Sequence, residues 1–187
     1  KEKGIRLIKS FIRKFELNTS GSEPYPTSLR GMNWIKFLSL HEINDSEIDE
    51  NLSSQYRTLS GSLEYHLGGN HLLENGISLL FAAFYFYNRL YFLRAGKIIT
   101  RELQEQILED GGHFEQCPMY QLIIIDRLLD AVNLLRNNKV FDGQSGIEDA
   151  LVTYVRMMLG WIHQMGYRNG FIPLFNDSAN GVSPTIR

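Results

Sequence analysis

Asn70 and His71 open the stretch with the most chemical promise. The run Asn70-His71-Leu72-Leu73-Glu74-Asn75 follows Gly68-Gly69 and precedes the most apolar part of the chain. On a helix starting here, His71, Glu74, Asn75 and Ser78 share one face. Below these residues the helix turns apolar, so the polar stripe is confined to its first two turns. A stripe so placed points into a cavity or a loop cluster. The ordinary alternative is capping. Asn70 is a good N-cap, and His71 could be a satisfied surface residue. A capping box would need Glu at position 73, which is Leu73. Glu74 then needs another explanation, and a hydrogen bond to His71 is one.

Tyr120 is the second candidate. Pro118 suits the first position of a helix, which puts Tyr120 in its first turn. A helix N-terminus favours negative charge and is expected to ease phenol ionisation. Beside a cation, such a tyrosine can shuttle a proton. The alternative is a core aromatic, one of nine tyrosines, and on the residues alone that alternative is the stronger. His113, following Gly111-Gly112, is either a second pocket histidine or a loop anchor. Arg30, with Asn33 and Trp34 on adjacent turns, offers a carboxylate clamp and a sugar-stacking face. An Arg and a Trp are equally ordinary on an amphipathic helix.

Helices must position these groups. Ile5, Leu7, Ile8, Phe11, Ile12 and Phe15 recur at helical spacing opposite Lys9, Arg13 and Lys14. A second helix starts at Tyr25-Pro26-Thr27-Ser28, with Thr27 or Ser28 as cap. Asp45 is expected to cap a third, whose first turn holds Glu47, Asp49 and Glu50. That helix is expected to run toward Leu67 and stop at Gly68-Gly69. The fourth begins near Asn70 and is apolar all round, hence buried. The fifth covers about 90–108, the sixth runs from Pro118 to about Arg136, and the seventh spans about 147–165. The segment 171–175 is short and apolar, with an extended conformation as its reading, and 18–23 and 176–181 are polar loops. No period-2 strands stand out. The fold class expected is all-α: about seven helices in antiparallel pairs, as in solenoids and α/α toroids, forming a single helical domain over 1–187.

The 187 residues suit one domain or a large piece of one. The net charge of −2 gives no global pull toward nucleic acid or anionic membrane. The single cysteine, Cys117, excludes an internal disulfide and a cysteine-cluster zinc site. The apolar run 76–87 falls short of the roughly 20 residues of a membrane span. Both ends look cut: Lys1 starts close to a helix, and 183–187 reads as the opening of another. A fragment of a longer protein is expected, so the missing signal peptide carries no meaning. Asn176-x-Ser178-x-Asn180-Gly181 imitates a calcium loop, but its twelfth position is Arg187. No nucleotide-binding glycine motif and no HExxH appear. A metal held by His71, Glu74 and His113 is conceivable and not favoured.

Three blocks together carry a resemblance. They are Asn70-His71-Leu72-Leu73-Glu74-Asn75, the run from Glu105 to Glu115 with its Asp110-Gly111-Gly112-His113-Phe114-Glu115, and Pro118-Met119-Tyr120. In this order they resemble the heparinase II/III-like polysaccharide lyases. Tyr25-Pro26-Thr27-Ser28-Leu29-Arg30 with Asn33-Trp34 is similar to that family's upstream helix, and Pro173-Leu174-Phe175-Asn176-Asp177-Ser178-Ala179 to a downstream pocket loop. The resemblance implies an incomplete α/α toroid without the family's C-terminal β-sandwich domain. It implies β-elimination on uronate-containing polysaccharides such as glycosaminoglycan or alginate, in a periplasmic or extracellular setting.

Asn70 would help neutralise the uronate carboxylate. His71 would be base or carboxylate neutraliser, oriented by Glu74. Tyr120 would protonate the leaving O4. Arg30, Trp34, His113 and Asn176 would bind or support substrate. No cofactor is expected of this stretch, any structural metal being left to the missing domain. Alone, the stretch is expected to be inactive and, with apolar helix faces uncovered, to self-associate. A non-catalytic glycan-binding or exopolysaccharide-assembly protein on the same scaffold is the runner-up. A toroid hydrolase using two of Asp110, Glu115 and Asp177 is a weaker third.

Overall fold

The structure is a computed structural model describing residues 1–15, 21–67 and 69–185. Part of the polar loop expected over 18–23 lies outside the described residues. So do Gly68 of the expected helix stop and positions 186 and 187 of the closing segment. The described residues hold seven α-helices: α1 (Glu2–Lys14), α2 (Pro24–Leu40), α3 (Ser46–Gly61), α4 (Gly69–Tyr85), α5 (Arg89–Gln106), α6 (Pro118–Asn137) and α7 (Gln144–Met165). They divide into two units, Lys1–Ala95 and Gly96–Arg187, with the boundary inside α5.

In the first unit, α4 is the central element. Residues 72 through 84 of α4 are all buried, as its apolar surround predicts. α3 runs antiparallel to it. Tyr85 near the end of α4 donates to Asp49 at the start of α3 (2.6 Å), while Tyr56 and Ser78 meet further along (3.0 Å). Gly31 of α2 lets the Tyr56 ring approach closely; a Cβ there would lie 2.5 Å from its hydroxyl oxygen. Asp45 caps α3 as expected, its side chain accepting from the Ile48 N–H (3.3 Å). Lys9 of α1 reaches Asp45 and Glu47 at 2.7 and 3.1 Å, and the Lys9 bond, with the Ile48 N–H, holds the Asp45 carboxyl below its ordinary range. Asp45→Ala is expected to cost about 1 kcal/mol of stability, read as a lower urea midpoint.

Two boundaries differ from expectation. Thr27 and Ser28 lie inside α2, which starts at Pro24 without a side-chain cap. Both are buried; the Ser28 hydroxyl accepts from distant Asn75, while that of Thr27 donates to the Ser22 carbonyl and accepts from Arg30. α3 stops at Gly61, short of Leu67. Residues 62–67 then turn, and the Glu64 N–H donates to the buried side-chain oxygen of Asn75 at 3.1 Å. A continued helix would have kept Glu64 in its own ladder.

In the second unit, α6 and α7 form an antiparallel pair. Gln121 reaches the Met158 carbonyl (3.1 Å), and Arg136 reaches Glu148 (2.8 Å). α7 begins three residues before the expected Ile147 because Gln144 closes the turn. Its amide oxygen accepts from the Val140 and Phe141 N–H groups, and its nitrogen donates to the Leu135 and Asn138 carbonyls. The link from α5 to α6 folds back on itself at an isolated antiparallel bridge between Ile107 and His113. The described residues hold no sheet. Residues 171–175, expected to be extended, take no regular structure. No described helix is long and apolar enough to cross a membrane.

Candidate functional site

The first unit gathers its polar groups at the N-terminal end of α4. Asn75 is fully buried and uses both ends of its amide. Its nitrogen donates to Ser28 Oγ (3.1 Å) and to Glu64 Oε2 (3.2 Å), while its oxygen accepts from the Glu64 N–H. Ser78, one turn on, donates to the Ser28 carbonyl at 3.0 Å and meets the Tyr56 hydroxyl. Tyr56 is fully enclosed, and burial pushes its phenol far up, so it stays neutral. A polar network this enclosed is stable only when its members are satisfied.

His71 stands at the edge of this network. Its Nδ1 lies 3.3 Å from Glu64 Oε1, with the imidazole side chain 40% exposed and the carboxylate 5% exposed. Tyr25 stacks on the ring at 4.4 Å between centroids, with 25° between the planes. The carboxylate at Nδ1 is therefore Glu64, which nothing in the sequence signals, since it lies in a turn seven residues upstream. Glu74, the expected partner, is buried within α4. Asn70 lies inside the first turn of α4, because the helix starts at Gly69; it is half-buried.

Arg30 is engaged in structure. It donates to Gln55 Oε1 (2.8 Å), the Gly21 carbonyl (2.8 Å) and Thr27 Oγ1 (3.0 Å). Its guanidinium also lies over the rings of Phe11 and Phe15. Burial holds it below its ordinary pKa range. Trp34 is buried at 9% exposure with its ring edge-on to Phe11. It packs in the core, so the sugar-stacking face expected of it is covered. Apolar packing of α1 on α2 decided this, and periodicity did not reveal it.

The second unit has its own buried relay. His113 is 1% exposed. Its Nε2 meets Gln106 Oε1 (3.0 Å), its Nδ1 accepts from the Glu115 N–H (3.4 Å), and its own N–H donates to Gln121 Oε1 (2.8 Å). Gln106 in turn donates to Glu102 (2.9 Å), a carboxyl that burial raises above its ordinary range. This is the loop-anchoring alternative for His113. Burial pushes its imidazole from 6.5 down to about 4. The unfolded chain takes up this proton near 6.5 and the folded one near 4, so the unfolded state binds more protons in between. The contribution to stability is full above pH 6.5, falls as pH drops, and levels off below about pH 4, a loss of about 3 kcal/mol. An NMR titration of the His113 ring should give a midpoint near 4, and a midpoint at the ordinary value would contradict this burial.

Tyr120 is half-buried in the first turn of α6. Its phenol is raised above the ordinary value, first by desolvation, then by the charges of Asp177, Cys117 and Glu115. This reverses the expectation that the helix terminus eases its ionisation. Desolvation and, after it, the charge of Asp177 raise the phenol, and the sequence separation hides Asp177 from any local pattern. The same segment secures the helix start. Ser178 Oγ accepts from the Met119 N–H (3.3 Å) and lies 3.3 Å from the Cys117 sulfur. Asn176 donates to the Gln116 carbonyl at 2.7 Å and reaches that of Glu115 at 3.4 Å. Asn176 thus braces the loop before α6. Asp110 is also used locally, accepting from the Gly112 N–H (2.9 Å).

The sequence model of the family described as "Heparinase II/III N-terminus" matches residues 32–186. The chain belongs to that family. As a heparinase II/III N-terminal chain it also matches a solved structure, "Crystal Structure of Heparinase III", with a TM-score of 0.72 at 18% identity. The alignment covers 98% of this chain and 29% of that one. At that identity the likeness establishes the fold, an incomplete α/α toroid of seven described helices with almost no strand. No curated protein matches this heparinase II/III N-terminal chain. The fold and family expected from the motif blocks are thus the ones observed.

Proposed function

We propose that the protein containing this chain is a polysaccharide lyase that cleaves an acidic, uronate-containing polymer by β-elimination. The observation carrying this reading is His71. It is an imidazole on a helix of the heparinase II/III N-terminal domain, half-exposed and backed by a buried carboxylate. Such a ring can accept a proton or face an anion.

In the proposed reaction a base removes the proton at C5 of the uronate. The electron pair forms the C4–C5 double bond as the C4–O4 bond breaks, and O4 takes a proton. Asn70 and His71 neutralise the uronate carboxylate or, for His71, receive the C5 proton. Stabilising the enolate-like charge at that carboxylate is usually the largest catalytic term. Tyr120 supplies the proton to O4, a role suited to a phenol held protonated beside Asp177. In the first unit Glu74, Arg30 and Trp34 support Asn70 and His71 from the frame, and in the second His113 and Asn176 support Tyr120.

The test uses the full-length protein with heparan-like, hyaluronan-like and alginate-like polymers. New ultraviolet absorbance from the unsaturated uronate is the expected result on at least one of them. Binding to a polymer without any such product would overturn the lyase reading and favour a glycan-binding protein on this scaffold.

A further inference from the structure

Three contacts converge on one ring. Glu64 Oε1 meets His71 Nδ1 at 3.3 Å. Tyr25 covers one face of the imidazole at 4.4 Å. Asn75 fixes the Glu64 side chain and backbone together, at 3.2 Å to Oε2 and 3.1 Å from the N–H. Asn75 is itself fixed by Ser28 (3.1 Å). The carboxylate therefore cannot rotate without breaking buried bonds, and the ring cannot tilt without leaving Tyr25.

We infer that Glu64 and Tyr25 are positioning residues for His71, holding it as the Nδ1–H tautomer with Nε2 as its basic atom. An ionised carboxylate accepts and never donates. The ring nitrogen facing it must carry the proton, which leaves the lone pair of the neutral ring on Nε2. Buried carboxylates orient histidines in the same way at metal sites, where they fix tautomer and ring direction. Here the exposed side of a half-covered ring is the working side. The stacked Tyr25 ring limits the remaining freedom to motion in the ring plane. The catalytic meaning of this arrangement rests on the lyase reading above. The tautomer itself does not.

The test is nitrogen-15 NMR of the full-length protein labelled at histidine, with the His71 signals assigned by their loss in His71→Gln. With the ring neutral, Nδ1 is expected to show the protonated, pyrrole-type shift and Nε2 the pyridine-type shift. Glu64→Gln replaces an obligate acceptor with a group that can also donate, and is expected to move both shifts toward the average of the two tautomers. In the full-length protein Tyr25→Ala is expected to lower kcat more than it alters KM, and Tyr25→Phe, which keeps the stack, to recover most of that loss. The opposite tautomer in the unsubstituted chain would overturn the inference, and needs no variant to fold. Unchanged shifts in a folded Glu64→Gln chain would also overturn it. If the predicted tautomer is found and no polymer is cleaved, the lyase reading fails and the positioning stands. If polymer is cleaved by a protein whose His71 is the other tautomer, the reverse holds.

Discussion

Tyr120→Phe in the full-length protein is expected to lower kcat by roughly 10²–10⁴-fold, the usual contribution of a positioned acid or base. The substitution removes one hydroxyl and leaves the ring, which is half-buried in the first turn of α6. The start of that helix is held by Ser178 and by the loop that Asn176 braces. Neither contact involves the phenol, so the fold should persist and circular dichroism should be unchanged. The phenol is raised by desolvation and by Asp177, so it stays protonated at neutral pH and is ready to give its proton to a leaving oxygen. KM should move little, because the bond to the leaving oxygen strengthens as that oxygen becomes basic. Initial rates of ultraviolet product formation provide the measurement. Equal rates for the two proteins would remove Tyr120 from the role of acid.

Gly111→Ala is expected to destabilise the second unit by about 3 kcal/mol or more, from left-handed strain and overpacking together. Gly111 has φ +88, where an L side chain is strained, and an added Cβ would run into the Met157 carbonyl of α7. The obstacle is backbone, so no rotamer change relieves it. The turn also cannot drift away. Gln121 bonds the Gly111 carbonyl at 2.8 Å and the Met158 carbonyl at 3.1 Å, and Asp110 holds the Gly112 N–H. Moving the turn would expose the His113 relay anchored on Gln121. Gly61→Ala is the control. That glycine ends α3 with open space around the added Cβ, so its stability should hold or rise slightly. Urea midpoints of the two variants measure the contrast, and a Gly111→Ala midpoint equal to that of the unsubstituted chain would show that the turn can relax.

Much of the frame was written in local pattern. Helix periodicity repeats within a few residues, so it survives without knowledge of the fold. The unbroken apolar run of α4 announced its burial, Pro118 marked the first position of α6, and Asp45 marked the cap of α3. The motif blocks around Asn70, His113 and Tyr120 pointed to the heparinase II/III family, and the family match bears that out. These signals depend on which residues stand beside one another along the chain.

The partners of the candidate residues were decided elsewhere. Asn75 meets Ser28 across 47 positions, and Arg30 meets Gln55 across 25. Residues so far apart can be matched in many ways, and only packing selects one. That selection gave His71 the carboxylate of Glu64, placed Trp34 in the core, and desolvated Tyr120 beside Asp177, which raises its phenol against expectation. The sequence by itself determined the helices, the family and the residues capable of chemistry. Tertiary structure alone decided which of those residues stay available for it, because burial and hydrogen bonding are settled by neighbours that the chain brings in from a distance.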